Sequence, residues 1–292
     1  MTELEMRVTG QFGAECLGSC VKCRTSRSTS VSAKQPIVVK IGGDMTTDDA
    51  ALTRLAHDLL DMKCRGKPAI VVHGGGSEIS SALDAAGISY SFHDGNRITC
   101  SNAVNVVQST LNGDINRRVV SCLNRTRVRA VGISGLDGHF VRCEQRNPKL
   151  GFVGNPTGLD PTLLSRLLDA AITPVVAPIA VDDAGRIYNI NADTFAGFIA
   201  ERMNASALLL MTNVDGVLEP SGRLIEQITE KRFEELSRMG AVTRGMVPKI
   251  QTALTAFRNG VPKSVIVDGR NGGACLRAAE GFSGVGTRVV HG

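Results

Sequence analysis

Short apolar runs rich in β-branched residues alternate with helical patterns along most of this chain. The runs at residues 37–39 and 69–72 are apolar throughout and are followed closely by glycines. Such runs are typical of strands that are buried on both faces of a parallel sheet. Between them, leucines recur at helical spacing over residues 47–63. A strand, a helix and a strand in this order predict a βαβ unit, in which the helix covers one face of the sheet.

The same alternation continues to the end of the chain. It predicts further helices at residues 77–86, 102–123 and 243–259, and further strands at residues 128–133, 173–180, 207–211 and 264–267. The order of these elements predicts an α/β sandwich with a mostly parallel central sheet, which begins near Pro36.

Two glycine-rich loops follow the first two predicted strands. They are Gly42-Gly43 and Gly74-Gly75-Gly76. Ligands of open α/β sheets bind beyond the carboxyl ends of the strands, and glycines let backbone N–H groups approach an anion closely. A helix that starts near Ser77 adds its positive dipole end. We expect a phosphate or carboxylate between the loops, although paired glycines after strands are also common tight turns.

Two lysines and one aspartate indicate the chemistry. Lys40, Asp193 and Lys249 lie in the distant segments KIGG, NINAD and GMVPK. Phosphoryl transfer requires fixed positive charge and backbone donors, and lysine supplies a compact point charge. An aspartate between two lysines would hold both ammonium groups and, by its opposite charge, keep them protonated. The alternative is three unrelated surface charges.

Several function classes are excluded by absent motifs and by composition. The chain has no Gly-x-x-x-x-Gly-Lys-Ser/Thr loop and no Gly-x-Gly-x-x-Gly after the first strand, which argues against a P-loop kinase and a nicotinamide oxidoreductase. Its 33 basic and 28 acidic residues leave a net charge of only +5, and no basic block is interleaved with aromatic residues. Nucleic-acid binding is therefore not indicated, whereas a small anionic substrate fits. No apolar run reaches 18 residues, so we expect no membrane contact.

The cysteines and the N-terminal segment point to a cytoplasmic protein with an unusual arm. Eight cysteines are mostly scattered, which suits reduced cytoplasmic thiols. Cys16, Cys20 and Cys23 have the spacing of an iron–sulfur site, but chance clustering is the alternative. Residues 1–35 end in a basic stretch rich in Ser and Thr. We expect a flexible or oligomer-contacting arm, and a cleaved transit segment is the alternative.

Six motifs together resemble the amino acid kinase family, and within it the branch that phosphorylates N-acetyl-L-glutamate in arginine biosynthesis. They occur in the family's order: Lys40-x-Gly-Gly43, His73-Gly-Gly-Gly76, Gly95-Asn-Arg97-Ile-Thr99, Asn189-x-Asn-x-Asp193, Thr212-Asn-Val-Asp-Gly216 and Gly245-Met-x-Pro-Lys249. The resemblance implies an open three-layer αβα sandwich whose residues 36–190 bind the acyl amino acid and whose residues 191–292 bind ATP. It also implies a homodimer or homohexamer.

The resemblance implies roles for single residues at the reaction centre. Lys40 and Lys249 would stabilise the transferring phosphoryl group, with Asp193 organising both. Gly43 and Gly75 would donate backbone N–H groups to the γ-phosphoryl group and the acceptor carboxylate. His73 is interpreted as structural rather than as a general base, because the acceptor carboxylate is already ionised at neutral pH.

The substrate and nucleotide sites are implied in the same way. Arg97 would clamp the α-carboxylate of N-acetyl-L-glutamate with its planar fork, Asn189 would bind the same end, and Gly76 would line the pocket. Magnesium would arrive bound to ATP, so no dedicated metal site is expected. The residues that would border ATP are Gly42, Thr212, Asn213, Val214, Asp215 and Gly216.

Three departures from the family pattern keep the acceptor open. Ser77, Asn96 and Cys100 replace residue types that are common in the family at these positions. A related kinase for an acylated aminoadipate or a carrier-linked amino acid is therefore an alternative. A catalytically silent arginine or nitrogen sensor is another, although it would not need all three charged residues. Since no histidine precedes Asp268, we expect no strong inhibition by arginine.

Overall fold

The computed structural model describes residues 35–93, 95–242 and 245–292. The predictions for the N-terminal arm and for Cys16, Cys20 and Cys23 concern residues outside these ranges. The five cysteines within the ranges are free thiols.

The strands of the described residues are β1 (Ile37–Ile41), β2 (Ala69–His73), β3 (Phe92–His93), β4 (Asn96–Arg97), β5 (Ala130–Ser134), β6 (Val141–Gln145), β7 (Gly154–Leu159), β8 (Thr173–Ala177), β9 (Ile179–Val181), β10 (Ile187–Asn189), β11 (Ala207–Thr212), β12 (Gln227–Ile228), β13 (Ser264–Asp268) and β14 (Thr287–Val289). Most of them form one mostly parallel sheet of eight strands, in the order β12-β14-β13-β11-β1-β2-β8-β5. A second sheet has the order β10-β9-β6-β7, and β3 and β4 form a hairpin.

Helices cover both faces of the large sheet. The helices are α1 (Asp49–Cys64), α2 (Gly76–Ala85), α3 (Ser101–Ser109), α4 (Asn116–Arg125), α5 (Thr162–Asp169), α6 (Ala192–Arg202), α7 (Glu230–Arg238), α8 (Val247–Arg258) and α9 (Ala274–Glu280). Helices α1 to α4 and α9 pack with Val39 and Val71 on one face, and α5 to α8 pack with Val38 and Val72 on the other. Alternate residues of each strand therefore enter different cores. This arrangement confirms the predicted α/β fold and its three-layer αβα sandwich.

Two predicted elements are wrong in detail for physical reasons. The single strand expected at residues 173–180 is divided at Pro178, so that β8 belongs to the large sheet and β9 to the second one. Proline has no N–H group to donate to a sheet. The long helix expected at residues 102–123 contains a π-helical segment, Thr110–Ile115, between α3 and α4. Such segments have no signature in apolar spacing, and they often occur at functional sites.

The remaining boundaries differ by a few residues. Helix α1 begins at Asp49 because the side chain of Asp48 accepts hydrogen bonds from the amides of Ala50 and Ala51. Helix α8 begins at Val247 rather than at residue 243, with Pro248 in its first turn, where proline costs no hydrogen bond. None of the described helices is both long enough and apolar enough to cross a membrane.

Candidate active site

The carboxyl ends of three neighbouring parallel strands define the site. In the register of the large sheet, Ile41 of β1 pairs with His73 of β2, and Lys40 pairs with Leu210 of β11. The loops that follow these strands carry Gly42-Gly43, Gly74-Gly75-Gly76 and the segment after Thr212. The structure therefore brings to one edge of the sheet segments that are far apart in the sequence.

Asp193 lies between two lysine ammonium groups. Lys40 Nζ is 2.8 Å from Asp193 Oδ1, and Lys249 Nζ donates a hydrogen bond of 2.9 Å to Asp193 Oδ2. Asp193 and Lys40 are only 6% and 5% exposed, whereas the side chain of Lys249 is 17% exposed. The two lysines and the aspartate form a single charged cluster, so the alternative of three unrelated surface charges is excluded.

The pKa values follow from burial and from these contacts. Burial opposes ionisation of Asp193, but the charges and hydrogen bonds of Lys40 and Lys249 outweigh it and lower the pKa of the carboxyl to about 2. Burial also lowers the pKa of Lys40, and the charge of Lys249 adds to this, while Asp193 raises it. Asp193 thus raises the pKa of Lys40, as expected, but desolvation outweighs the carboxylate and the net pKa is lowered. A bound anionic phosphoryl group would raise the pKa of Lys40 again.

Asp193 is held in place by the start of helix α6. Asn191 is the N-cap residue, and its Oδ1 accepts hydrogen bonds from the amides of Asp193 and Thr194, at 2.9 Å and 3.2 Å. The positive end of the helix dipole favours a carboxylate in the first turn. Asn191 thus fixes the start of the helix that carries Asp193 between the lysines.

One glycine in each loop is closely packed against a neighbouring side chain. A Cβ atom on Gly42 would collide with the ammonium group of Lys40, and one on Gly75 would collide with Ile115. The amide of Gly74 donates to the carbonyl of Ile41 at 2.9 Å, which ties the second loop to the end of β1. The loops are therefore packed parts of the site and not only turns at the surface.

A cavity of about 180 Å³ lies beside the charged cluster. Its apolar wall includes Ile79, Leu111 and Val153, and the backbone of the glycine loop forms another side. It brings together seven of the residues that the sequence predicted: Lys40, Gly42, Gly75, Gly76, Arg97, Asn189 and Asp193. Of the three departures from the family pattern, only Asn96 lines this cavity. Ser77 and Cys100 are exposed.

The guanidinium of Arg97 contacts two aromatic rings at the cavity wall. Its guanidinium carbon is 4.3 Å from the ring centre of Tyr90 and 4.6 Å from that of Phe92. Its Nη2 donates to the carbonyl of Gly76 at 2.9 Å and to Ser80 Oγ at 2.7 Å, whereas Nη1 is buried without a hydrogen-bond partner in the described part of the chain. Burial lowers the pKa of Arg97, which Tyr90 opposes, and the group stays charged because the ordinary pKa of arginine exceeds 12. Nη1 is a cationic donor suited to an anionic ligand.

The predicted nucleotide loop lies outside the cavity. Thr212 ends strand β11 in register with Asp268 of β13, and Asn213, Val214, Asp215 and Gly216 follow it. Asp215 Oδ1 is 3.9 Å from Arg270 Nη2, and Arg270 also forms a hydrogen-bonded ion pair with Asp268. A Cβ on Gly216 would come within 2.6 Å of Thr287 Oγ1. Two other predicted residues, Gly43 and Lys249, do not line the cavity. Gly43 starts a short 3₁₀ helix, and Lys249 contacts Asp193, which does line the cavity.

The sequence matches the amino acid kinase family over residues 35–268. Two acetylglutamate kinases are among its relatives. The one from Roseobacter denitrificans is 41% identical over 240 residues, which cover 82% of this chain and 84% of that protein. The one from Cereibacter sphaeroides is 42% identical over 254 residues, 87% of each protein. The chain belongs to the amino acid kinase family, and within it the chain is similar to acetylglutamate kinases.

Solved structures show the same fold. N-acetylglutamate synthase from Neisseria gonorrhoeae, complexed with coenzyme A and N-acetyl-glutamate, aligns with a TM-score of 0.77 at 21% identity, over 88% of this chain and 59% of that one. Carbamate kinase from Giardia lamblia, bound to AMP-PNP, aligns with a TM-score of 0.63 at 15% identity, over 89% and 99%. At these identities the likeness concerns the fold alone.

Proposed function

We infer that this chain transfers the γ-phosphoryl group of ATP to the side-chain carboxylate of N-acetyl-L-glutamate. The product is N-acetyl-L-glutamyl 5-phosphate, an intermediate of arginine biosynthesis. The observation that carries the proposal is the Lys40–Asp193–Lys249 cluster, which lies beside a small cavity. The wall of this cavity holds Arg97, whose Nη1 has no hydrogen-bond partner among the described residues. The similarity to acetylglutamate kinases supports the same acceptor.

The proposed reaction needs no general base. An oxygen of the ionised acceptor carboxylate forms a bond to the γ-phosphorus, the bond from that phosphorus to the β–γ bridging oxygen breaks, and ADP leaves. Negative charge spreads over the phosphoryl oxygens during the transfer. Lys40 and Lys249 would stabilise that charge as preorganised cations, and the amides of Gly43 and Gly75 would add hydrogen bonds. Asp193 would orient both lysines.

Arg97 is proposed to bind the α-carboxylate of the acceptor together with Asn189. The two rings and the carbonyl of Gly76 fix the guanidinium plane before the substrate binds, which lowers the entropy lost on binding. The side-chain carboxylate of the same molecule would then face Gly75 and the lysines. We propose that residues 36–190 bind the acceptor and that residues 191–292 bind ATP.

Magnesium is proposed to bind with ATP. Among the described residues, no group of three or more His, Cys, Asp and Glu side chains comes together as a metal site. Both oxygens of Asp193 contact lysines, so this carboxylate is not available as a metal ligand. The residues present thus fit an ion held by phosphate oxygens and water, which would neutralise phosphate charge.

Replacing Arg97 with lysine is expected to raise the KM for N-acetyl-L-glutamate by about 10- to 100-fold. Lysine cannot keep both the stacking and the forked donor geometry, and a hydrogen bond to a charged group contributes about 1.5–3 kcal/mol. The KM for ATP should stay the same. Steady-state kinetics of Arg97→Lys, with the exposed Arg125→Lys as a matched control, test this. A raised KM for ATP with an unchanged KM for the acceptor would contradict it.

The activity itself is tested with a hydroxamate assay for acyl phosphate in the presence of magnesium and ATP. We expect strong preference for N-acetyl-L-glutamate over N-acetyl-aminoadipate, glutamate and aspartate, with little effect of arginine. Preference for another acceptor would leave the kinase mechanism unchanged. It would indicate that the cavity around Asn96 determines which acceptor binds. No turnover with any acceptor despite ATP binding would favour the sensor alternative.

We also propose a cytoplasmic homo-oligomer, either a dimer or a hexamer, as the family resemblance implies. Light scattering of the purified protein would distinguish the two assemblies from a monomer. The oligomeric state does not enter the mechanism above.

A further inference from the structure

His73 is fully buried beneath the glycine loop, and the proposed reaction does not use it. Its side chain follows Val71 onto the face of the sheet that α4 covers. The ring contacts the loop on one side and Asn116 on the other. These two contacts determine what this histidine can do.

The proton on the ring is assigned by its neighbours. Nδ1 is 2.9 Å from the carbonyl oxygen of Gly74, which can only accept, so Nδ1 carries the proton. Nε2 is then an acceptor, and Asn116 Nδ2 lies 3.1 Å from it. The same Nδ2 donates to the carbonyl of Val175 at 3.0 Å, which independently fixes the orientation of the amide. The pKa of His73 is lowered to about 4, chiefly by burial, so the ring is neutral near pH 7.

Asn116 is itself locked in one position. It is the first residue of α4, directly after the π-helical segment, and two residues of that segment, Leu111 and Ile115, pack against the position of a Cβ on Gly75. A Cβ on Gly132 would collide with Asn116 Oδ1, and this oxygen is buried without a hydrogen-bond partner among the described residues. Within the described residues this acceptor therefore stays unpaired, at a cost in free energy, while Nδ2 keeps an acceptor for each of its two donors.

The bond to Gly74 controls the next amide. The Gly74–Gly75 peptide is trans and planar, so its C=O and N–H groups point in opposite directions. When His73 holds the carbonyl of Gly74, the N–H of Gly75 must point away from the ring. Gly75 lines the cavity beside Lys40.

We propose that His73 is a positioning residue that acts through the Gly74–Gly75 peptide, and that Asn116 holds its ring in the required tautomer. His73 would keep the N–H of Gly75 directed at the transferring phosphoryl group, where a fixed donor stabilises the transition state more than the bound substrates. This inference rests on the proposed kinase function, because it assigns to Gly75 the role of donor in that reaction.

The test compares two amide replacements that each imitate one half of the ring. In His73→Asn the amide can replace Nδ1 and donate to Gly74, whereas in His73→Gln it reaches the position of Nε2 and leaves the carbonyl of Gly74 unpaired. We expect His73→Gln to lose at least about tenfold in kcat, with the KM values for ATP and the acceptor nearly unchanged, and His73→Asn to recover most of the loss. A purely structural role predicts instead that kcat follows the unfolding temperature. Equal kcat for two folded variants, or a change confined to KM, would overturn the proposal.

Two further measurements separate this proposal from misfolding and from failure of the proposed function. In the wild type, ¹⁵N chemical shifts of the His73 ring should report the Nδ1–H tautomer at pH 7, and the other tautomer or a charged ring would overturn the proposal without any assay. If His73→Gln does not fold, the kinetic test uses Asn116→Leu instead. The kcat of this variant should fall at constant KM, and an unchanged kcat would overturn the proposal. Lack of turnover by the wild type would reject the kinase function, whatever the tautomer.

Discussion

Replacing Lys249 with alanine is expected to lower kcat by about 100- to 1000-fold, with a much smaller change in the KM values. This is the size of loss found when one preorganised charge-stabilising donor is removed from an active site. Lys249 holds Asp193 Oδ2 and is the more exposed of the two lysines, so its ammonium group is accessible to a phosphoryl group. Rapid-quench or steady-state kinetics with N-acetyl-L-glutamate and ATP provide the measurement.

The fold should tolerate this change. Asp193 keeps its contact with Lys40 in the variant, so the carboxylate is not left as an isolated buried charge. We expect a loss of about 1.5–3 kcal/mol in the free energy of unfolding, the contribution of one hydrogen bond to a charged group. Lys63→Ala removes an exposed lysine that lies outside the charged cluster and the cavity and donates a hydrogen bond to the carbonyl of Ala171, so it serves as the control. Activity of Lys249→Ala within tenfold of the wild type would refute the assigned role.

The parallel sheet and its sites were predictable because their signals are local and strong. Continuous apolar runs predicted β1, β2, β11 and β13, since strands buried on both faces need no polar alternation. The glycines after β1 and β2 predicted ligand loops because topology alone places these loops at one edge. The charges at residues 40, 193 and 249 were grouped by the chemistry of phosphoryl transfer and then by the family resemblance, whereas their contacts at 2.8 Å and 2.9 Å depend on distant packing.

The aromatic contacts of Arg97 had a signal in the sequence that the sequence analysis missed. Asp-Gly at residues 94–95 is the typical two-residue turn of a hairpin, and a hairpin around it pairs Phe92 directly with Arg97. Tyr90 lies two residues before Phe92, so the register of the hairpin brings both aromatic rings to the guanidinium of Arg97. The apolar cavity wall at Ile79, Leu111 and Val153 had no such signal, because it depends on how three separate segments of the chain pack.

The pKa of Lys40 shows where motif reasoning fails for electrostatics. The sequence placed a carboxylate beside the ammonium group, which by itself raises the pKa of a lysine. Burial cannot be derived from a motif, and at Lys40 burial has the larger effect and lowers the pKa. The consequence is that the protonation of Lys40 depends on Asp193 more strongly than it would at the surface.

Replacing Asp193 with asparagine should therefore affect stability and catalysis together. The variant leaves two lysine ammonium groups facing each other, one of them almost fully buried, without the carboxylate. We expect a loss of about 3–5 kcal/mol in the free energy of unfolding, as for other buried ion pairs that lose one partner. We also expect kcat to fall by at least about 100-fold, because neither lysine stays oriented. Chemical denaturation and steady-state kinetics measure the two effects.

The stability difference between wild type and Asp193→Asn should depend on pH with a defined sign. The pKa of Asp193 is about 2 in the folded state and about 3.9 in the unfolded state, so its contribution is complete above pH 4 and is lost as the pH falls towards 2. The difference should thus shrink between pH 4 and pH 2, where the wild-type carboxyl becomes neutral like the asparagine amide. A difference that stays constant over this range would mean that the charge of Asp193 does not support the fold.

The activity of the variant should shift with pH through Lys40. Once Asp193 is removed, burial and the charge of Lys249 both lower the pKa of Lys40, and the effect that opposed them is gone. A lysine with a lower pKa loses its proton at a lower pH, so the residual kcat of Asp193→Asn should decline at a lower pH than that of the wild type. In Lys40→Met/Asp193→Asn the shift should vanish, because the titrating group is gone. If the decline remains in the double variant, another group governs it, and Asp193 does not act by keeping Lys40 protonated.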